Sequence, residues 1–424
     1  MDSRTINICG VGICQLLLFS GYFALLDLQK TLLASAHDDN PNFNVDGYTL
    51  SGVIYTSFSL SVLLTPSVIS SIGPRLTMFI GALCYLAPPV AMYLENSWLL
   101  YVAFSLKGIG GALTWTASSN YLVLNSTEQT LARNMALFWF FFACGYFPGN
   151  LFTYFAFKSV TVKIDESTRH LVLFVMAGFI AVGAFAHLFL RDVQESRKKS
   201  NADTPLQALK RTSNIALSRN TAVLLLAFGY VGLNMSFISG IYGSSIGFTL
   251  QIGEGVKRLV PLSGVFAGCG EVSGGILGRI FGKVNVFRIN VFFVAAVILN
   301  CICYLMIFLS LPAVANFGNT YEKAFIGPRP WLLLLVAYFL GVGDSLLNIQ
   351  MLTLVGSLYP HDSAPAFGVF KISRSVFTAA SYYYSRYLPL PTQLLILTIF
   401  GAMGMITFNV MNVTHERRKV ADKC

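Results

Sequence analysis

Charge is what this sequence lacks. Asp, Glu, Lys and Arg make up 11% of its 424 residues, against about 25% in a soluble globular chain. With 55% hydrophobic residues and a mean hydropathy of +0.64, the composition excludes the soluble class, and no polar stretch is long enough to hold a soluble domain. Of eight cysteines, Cys9, Cys14, Cys84, Cys144, Cys269, Cys301 and Cys303 fall in apolar runs, and Cys424 ends the chain without a prenylation pattern. Neither an external disulfide framework nor a metal spacing is therefore expected. No Ser/His/Asp or Cys/His arrangement follows from spacing, which disfavours an enzyme. Gly108-Ile109-Gly110 and Gly268-Cys269-Gly270 lie in apolar runs with no strand before them, unlike dinucleotide loops, and no cofactor is expected.

What the sequence has is apolar runs of roughly twenty residues, each long enough to cross about 30 Å of hydrocarbon as a helix. Twelve are expected, at 6–26, 48–70, 76–95, 98–124, 134–157, 170–190, 221–243, 259–281, 286–311, 331–355, 367–388 and 389–411. A backbone in lipid must satisfy its own hydrogen bonds, and these runs exceed the strands of a membrane barrel, so the fold class is an all-α membrane bundle. The first run has no basic region before it beyond Arg4 and is too long for a signal peptide, which predicts that it is retained.

The longest hydrophilic stretch divides six runs from six, giving an N-terminal half at 1–190, a central loop at 191–220, a C-terminal half at 221–411 and a tail at 412–424. Trp98-Leu99-Leu100 followed by Gly108-Ile109-Gly110 has the same spacing as Trp331-Leu332-Leu333 followed by Gly341-Val342-Gly343. A six-plus-six duplication is a transporter signature. The net charge of +10 would suggest nucleic acid in a soluble chain, but here the basic residues cluster in short loops. Arg197, Lys198, Lys199, Lys210 and Arg211 in the central loop, with Arg279, Lys283, Arg288 and the tail, put both termini in the cytoplasm. The lipid bilayer, not nucleic acid, is the expected partner.

Two short loops carry a glycine and a cation: Gly73-Pro74-Arg75 and Gly278-Arg279. Glycine lets two helices turn tightly, and a cation at a helix end can bind carbonyls or an acid nearby; an ordinary positive-inside turn accounts for the same residues. Both are candidate gating loops. Three glycosylation sequons, at Asn125, Asn234 and Asn412, fall outside any expected outer loop. Asp27, His37, Asp38, Asp39 and Asp46 are expected to surround the first outer loop, and His187 to lie at the cytoplasmic interface.

Ionisable groups at mid-bilayer cost at least about 2.5–3.5 kcal/mol each, so they need a partner, a wet cavity or a task. Lys107, Glu271 and Asp344 sit at such depth. Lys107 shares a helical face with Gly111, Thr114 and Ser118, Glu271 with Gly268, Gly274, Gly275 and Gly278, and Asp344 with Gly341 and Asn348, all small or polar and so inward. Lys371, Ser375, Thr378, Tyr382 and Ser385, with Tyr48, Gly52, Tyr55 and Ser59, extend the same lining. Either Glu271 and Asp344 bind a proton or cation, with Lys107 anchoring an anionic group, or these residues form buried pairs and hydrogen bonds that only hold helices together. The ladder Gly270, Gly274, Gly278 and Gly282 predicts close packing of a neighbouring helix.

Several strings together resemble the Unc-ninety-three-like branch of the major facilitator superfamily, named for an ion-channel regulatory protein. They include Thr65-Pro66-Ser67-Val68 with Gly73-Pro74-Arg75-Leu76, Trp115-Thr116-Ala117 with Asn120-Tyr121-Leu122, and Asn125-Ser126-Thr127-Glu128 with Arg133-Asn134. Further on come Ser239-Gly240-Ile241-Tyr242-Gly243, Leu262-Ser263-Gly264, Gly270-Glu271, Gly343-Asp344-Ser345, and Asp362-Ser363-Ala364-Pro365-Ala366-Phe367 leading into Phe370-Lys371. The resemblance implies the major facilitator fold, twelve helices in two halves, and puts Glu271 and Asp344 at motif positions. Ser118-Ser119 stand where the resemblance would put Gln-Gly, and Lys107 replaces an apolar residue. Two functions are open: a carrier of an unidentified small solute, or an accessory subunit of an ion channel (potassium-channel type) or receptor, for which Phe138-Trp139-Phe140-Phe141-Phe142 and Tyr382-Tyr383-Tyr384 offer aromatic contact material.

Overall fold

The computed structural model describes residues 3–127, 129–191, 205–281, 286–360 and 362–421; of 3, 132, 205–209, 279–281, 286–288, 363–364 and 418–421 it describes the backbone alone. The chain is nearly all helical. In order the helices are α1 (Ser3–Asp39), α2 (Gly47–Ser61), α3 (Thr65–Leu83), α4 (Ala87–Tyr93), α5 (Ser97–Leu124), α6 (Leu131–Cys144), α7 (Tyr146–Ala156), α8 (Glu166–Ala186), α9 (Pro205–Ala216), α10 (Arg219–Ser236), α11 (Gly243–Phe248), α12 (Val256–Phe281), α13 (Val286–Ser310), α14 (Pro330–Leu358), α15 (Ser363–Ser385) and α16 (Leu390–Ala421). Among the described residues nine helical segments are long and apolar enough to cross a membrane. The expected runs at 48–70, 98–124 and 367–388 fall on α2, α5 and α15, which are not among the nine; these are the helices that carry Tyr55, Lys107, Lys371 and Arg374. The exposed faces carry large apolar residues such as Leu64, Trp98, Phe155, Phe174, Ile298 and Ile406, the pattern of a surface solvated by lipid.

Helix starts follow local capping chemistry. The side chains of Asp46, Asn96, Asp165 and Ser218 accept from the amides of Thr49, Leu99, Thr168 and Thr221 at the starts of α2, α5, α8 and α10. The tight turn expected after residue 70 lies inside α3: Gly73 has φ 81° and ψ 162°, a conformation that only glycine adopts without strain. Pro74 follows it, with the φ suited to a first helical turn. A second irregularity separates α10 from α11, where Ser239 and Gly240 leave the helical path. The freed Ser239 carbonyl accepts from the Tyr382 hydroxyl at 3.0 Å, as buried backbone in a membrane requires.

The chain forms two compact units, Met1–Leu206 with Glu254–Val265, and Gln207–Gly253 with Phe266–Cys424. In the first, α1 packs on α6, α7 and α8, and α5 on α2 and α3. Phe19, Tyr22, Phe23, Tyr85 and Ile180 form its core, with Phe23 stacked on Tyr146 at 3.7 Å. In the second, α10 packs on α15 and α16, and α13 on α14 and α16, with Phe293 stacked on Phe408 at 3.8 Å.

The glycine ladder of α12 lies against α14: a Cβ on Gly270 would strike the Tyr338 carbonyl, one on Gly274 would press on Ser345, and one on Gly278 on Ile349. Gly341 of α14 answers it, backing onto the Ala267 carbonyl. This is the close packing that small residues permit in membranes. Gly282 lies outside the described residues.

Several boundaries differ from expectation. The first helix runs on to Asp39, because no helix breaker separates residue 26 from Asn40-Pro41, and so Asp27 is buried within it instead of opening a loop. Asp39 and Asp46 are not a free acidic surface: Asp39 pairs with Lys163 and Arg169, and Asp46 with Lys30. His187 is fully buried, its Nδ1 bonded to the Gly183 carbonyl at 2.8 Å, where an interfacial position was expected. The last helix extends through most of the expected tail, and α9 occupies part of the expected central loop. All three sequon asparagines have buried side chains.

Candidate functional site

The second unit concentrates its buried polarity at one place. Asp344, on α14, accepts at Oδ1 from Nδ2 of Asn234 at 2.9 Å and at Oδ2 from Nδ2 of Asn348, one turn on, at 2.9 Å. The Glu271 carboxyl of α12 neighbours that of Asp344, and Arg374 of α15 is close enough to act on the charge of both. Its Nη1 donates to Oδ1 of Asn348 at 2.7 Å and its Nη2 to the Met235 sulfur at 2.6 Å. Three of the expected residues, Glu271, Asp344 and Asn348, are thus brought together, with Arg374 as a cation beside them.

Behind Asp344 lies a second layer. The Asn234 carbonyl oxygen accepts from the Tyr304 hydroxyl at 2.6 Å and from Asn300 Nδ2 at 3.3 Å, and Asn300 also donates to the Tyr230 hydroxyl at 3.2 Å. Asn234, Asn300 and Tyr230 are fully buried. The Asn300 Oδ1 faces Gly343 and has no hydrogen-bond partner, an unsatisfied acceptor of the kind that calls for an explanation at a ligand site or a bound water. Sequence reasoning missed this layer. The signal was there: Tyr230 and Asn234, and Asn300 and Tyr304, are polar pairs four residues apart in apolar helices, hence on one face each.

Not every expected lining residue joins the site. Thr378 donates to the Gly232 carbonyl at 2.9 Å and Ser385 to Gln393 Oε1 at 3.0 Å, so these hydroxyls are used in packing within the unit.

In the first unit Lys107 is 5% exposed. Its Nζ donates to the Tyr22 hydroxyl at 2.5 Å and lies 3.9, 5.0 and 5.9 Å from the ring centres of Tyr22, Tyr85 and Tyr55. Among the described residues of that unit it pairs with no carboxylate. Asp27, also buried there, accepts from Asn150 Nδ2 at 3.3 Å. Of the expected gating residues, Gly73 makes the turn in α3 and Arg75 donates from Nη1 to the Leu190 carbonyl at 3.1 Å, beyond the end of α8. Gly278 packs on Ile349. The Arg279 side chain lies outside the described residues.

A nearly all-helical chain with apolar outer faces and ionisable groups buried at mid-helix is a multi-pass membrane protein. The family described as ion channel regulatory protein UNC-93 matches residues 42–409, and the chain belongs to it. It is 35% identical to the UNC93-like protein MFSD11 of Xenopus tropicalis, over 96% of this chain and 95% of that one. It is 22% identical to UNC93-like protein 3 of Arabidopsis thaliana, over 94% and 83%. Among solved structures it resembles a mutant of the nucleoside transporter NupG, with TM-score 0.66 and 14% identity over 96% of this chain and 99% of that one. The E. coli fucose:proton symporter FucP gives a TM-score of 0.61 and 12% identity, over 97% and 99%. The fold is that of the major facilitator superfamily.

Proposed function

We propose that this protein is a carrier that moves a small solute by alternating access, and that Asp344, Glu271, Asn348 and Arg374 bind and release the coupling proton or cation. The observation that carries the reading is the carboxyl pair itself. Two acids and an arginine gathered among apolar helices are expensive, and intramembrane ionisable groups mark substrate and ion pathways far more than they serve as scaffolding. A proton taken up or released by either acid would give the pair two states whose charge balance against Arg374 differs. The likeness in fold to a nucleoside transporter and to a sugar:proton symporter supports the same class. In this reading the six-helix halves at 1–190 and 221–411 alternate, Gly73-Arg75 acts as a gating turn and Gly278-Arg279, in the last turn of α12, as its counterpart, both termini are cytoplasmic, and the protein is not an enzyme.

The test is solute accumulation by reconstituted vesicles, read by mass spectrometry from a defined mixture, with Asp344→Asn and Glu271→Gln beside the intact protein. Loss of accumulation in correctly inserted variants supports coupling at the pair, and undiminished accumulation in both sinks it.

A second reading, an accessory subunit of a channel or receptor, draws on the family's description and on the exposed rings of Trp139 and Phe140 on α6. It requires a channel or receptor to co-purify near stoichiometrically from native membranes and to be lost on substituting these two aromatics.

A further inference from the structure

We infer that Lys107 is the seat for the carboxylate of an organic monoanion, so that the solute of the carrier proposed above is an acid; the inference rests on that carrier reading. An ammonium among apolar helices needs compensation, and the described residues of its own unit offer Lys107 no carboxylate within ion-pair distance. What surrounds it is tyrosine. The faces of Tyr22, Tyr85 and Tyr55 stand 3.9, 5.0 and 5.9 Å from Nζ, close enough for cation–π attraction. Of the three N–H donors of an ammonium, one goes to the Tyr22 hydroxyl, leaving two for a ligand. Gly111, one turn along α5, lets the Phe58 ring and the Tyr85 hydroxyl approach the helix, 3.2 and 3.5 Å from where a Cβ would stand.

The chemistry selects the ligand. A lone ammonium balances one negative charge, and a carboxylate oxygen can accept from Nζ and from a tyrosine hydroxyl together. A phosphate dianion is matched by an arginine fork or several cations, and the cage contains neither. The tyrosine rings suit the apolar body of an organic acid. A neutral or cationic solute would bring the ammonium no counter-charge.

The experiment uses the full chain in vesicles loaded from an equimolar mixture of small organic monocarboxylic acids and their primary amides, which match them in shape without the charge. Retained solutes are read by mass spectrometry for the intact protein, Lys107→Met and Lys107→Gln, and melting temperatures are measured in parallel. The inference predicts accumulation of acids over amides and a loss of about thirtyfold or more in both variants, the effect of removing one partner of a buried charge pair. It also predicts that Lys107→Gln, which keeps a donor for the Tyr22 hydroxyl, loses acid uptake while the inserted protein stays folded. Acids and amides entering alike, or acid uptake surviving in Lys107→Met, overturns it. Accumulation of nothing by the intact, inserted protein instead overturns the carrier reading and removes the premise.

Discussion

The side-chain amide of Asn234 and the carboxyl of Asp344 meet at 2.9 Å between α10 and α14. The other end of the same amide is held by Tyr304 at 2.6 Å and by Asn300 at 3.3 Å, so the donor end is kept toward the acid. A sequon asparagine thereby orients the acid at the centre of the proposed site. Second-layer contacts of this kind fix the geometry that binding groups need.

Asn234→Leu removes that orientation and strands two buried groups, the Tyr304 hydroxyl and one Asp344 oxygen. Each unsatisfied group costs about 1–3 kcal/mol, so the variant is expected to melt well below the intact protein in detergent. An unchanged melting temperature would show that the layer behind Asp344 is not structurally coupled to it.

Gly270→Ala and Gly341→Ala test the contact of α12 with α14. Each new methyl meets backbone on the other helix, which cannot yield as a flexible side chain would, and overpacking of this type costs about 1–3 kcal/mol. The two sites share one interface. Once the first substitution has pushed the helices apart, the second costs less, so the double variant is expected to lose less than the sum of the singles. Strict additivity in thermal melts would contradict the shared contact.

How far the sequence revealed this architecture depends on what each residue's neighbours could disclose. The helical class followed from run length alone, and the ladder in α12 announced close packing because its period of four places Gly270, Gly274 and Gly278 on one face. Glu271, Asp344 and Asn348 were legible as inward residues for the same reason. Their partners were not, because pairing across helices is set by tertiary packing. Nothing within the α15 or α13 sequence ties Arg374 or Asn300 to Asp344, and Asn234 reads only as a sequon. Asp27 was misplaced for a simpler cause: hydropathy falls near residue 27, but the helix continues to Asp39 and buries the acid. The Gly73 turn was legible in kind, while the Leu190 carbonyl that accepts from Arg75, more than a hundred residues on, was not.

At the start of α2, Asp46 caps the Thr49 amide at 2.8 Å and pairs with Lys30. Burial alone would raise its carboxyl, but the charge and hydrogen bond of Lys30, with the Thr49 contacts, outweigh it and hold the group below the usual carboxylate range. A depressed folded-state value means a contribution present above the unfolded value of about 3.9 and lost as pH falls below it. Stability is therefore expected to drop on acidification below about pH 4, and Asp46→Ala, which costs about 1 kcal/mol or more at neutral pH, is expected to flatten that part of the profile. An unaltered acid limb in the variant would assign the effect elsewhere.

The central claim is that the Asp344–Glu271 pair drives solute movement. Its most direct test is accumulation by vesicles carrying the intact protein or Asp344→Asn, across a pH step, from a defined solute mixture. The account predicts at least one solute concentrated by the intact protein in response to the step, and no concentration by Asp344→Asn at equal insertion. Equal accumulation by both, or accumulation by the intact protein that ignores the step and every imposed cation gradient, would contradict it.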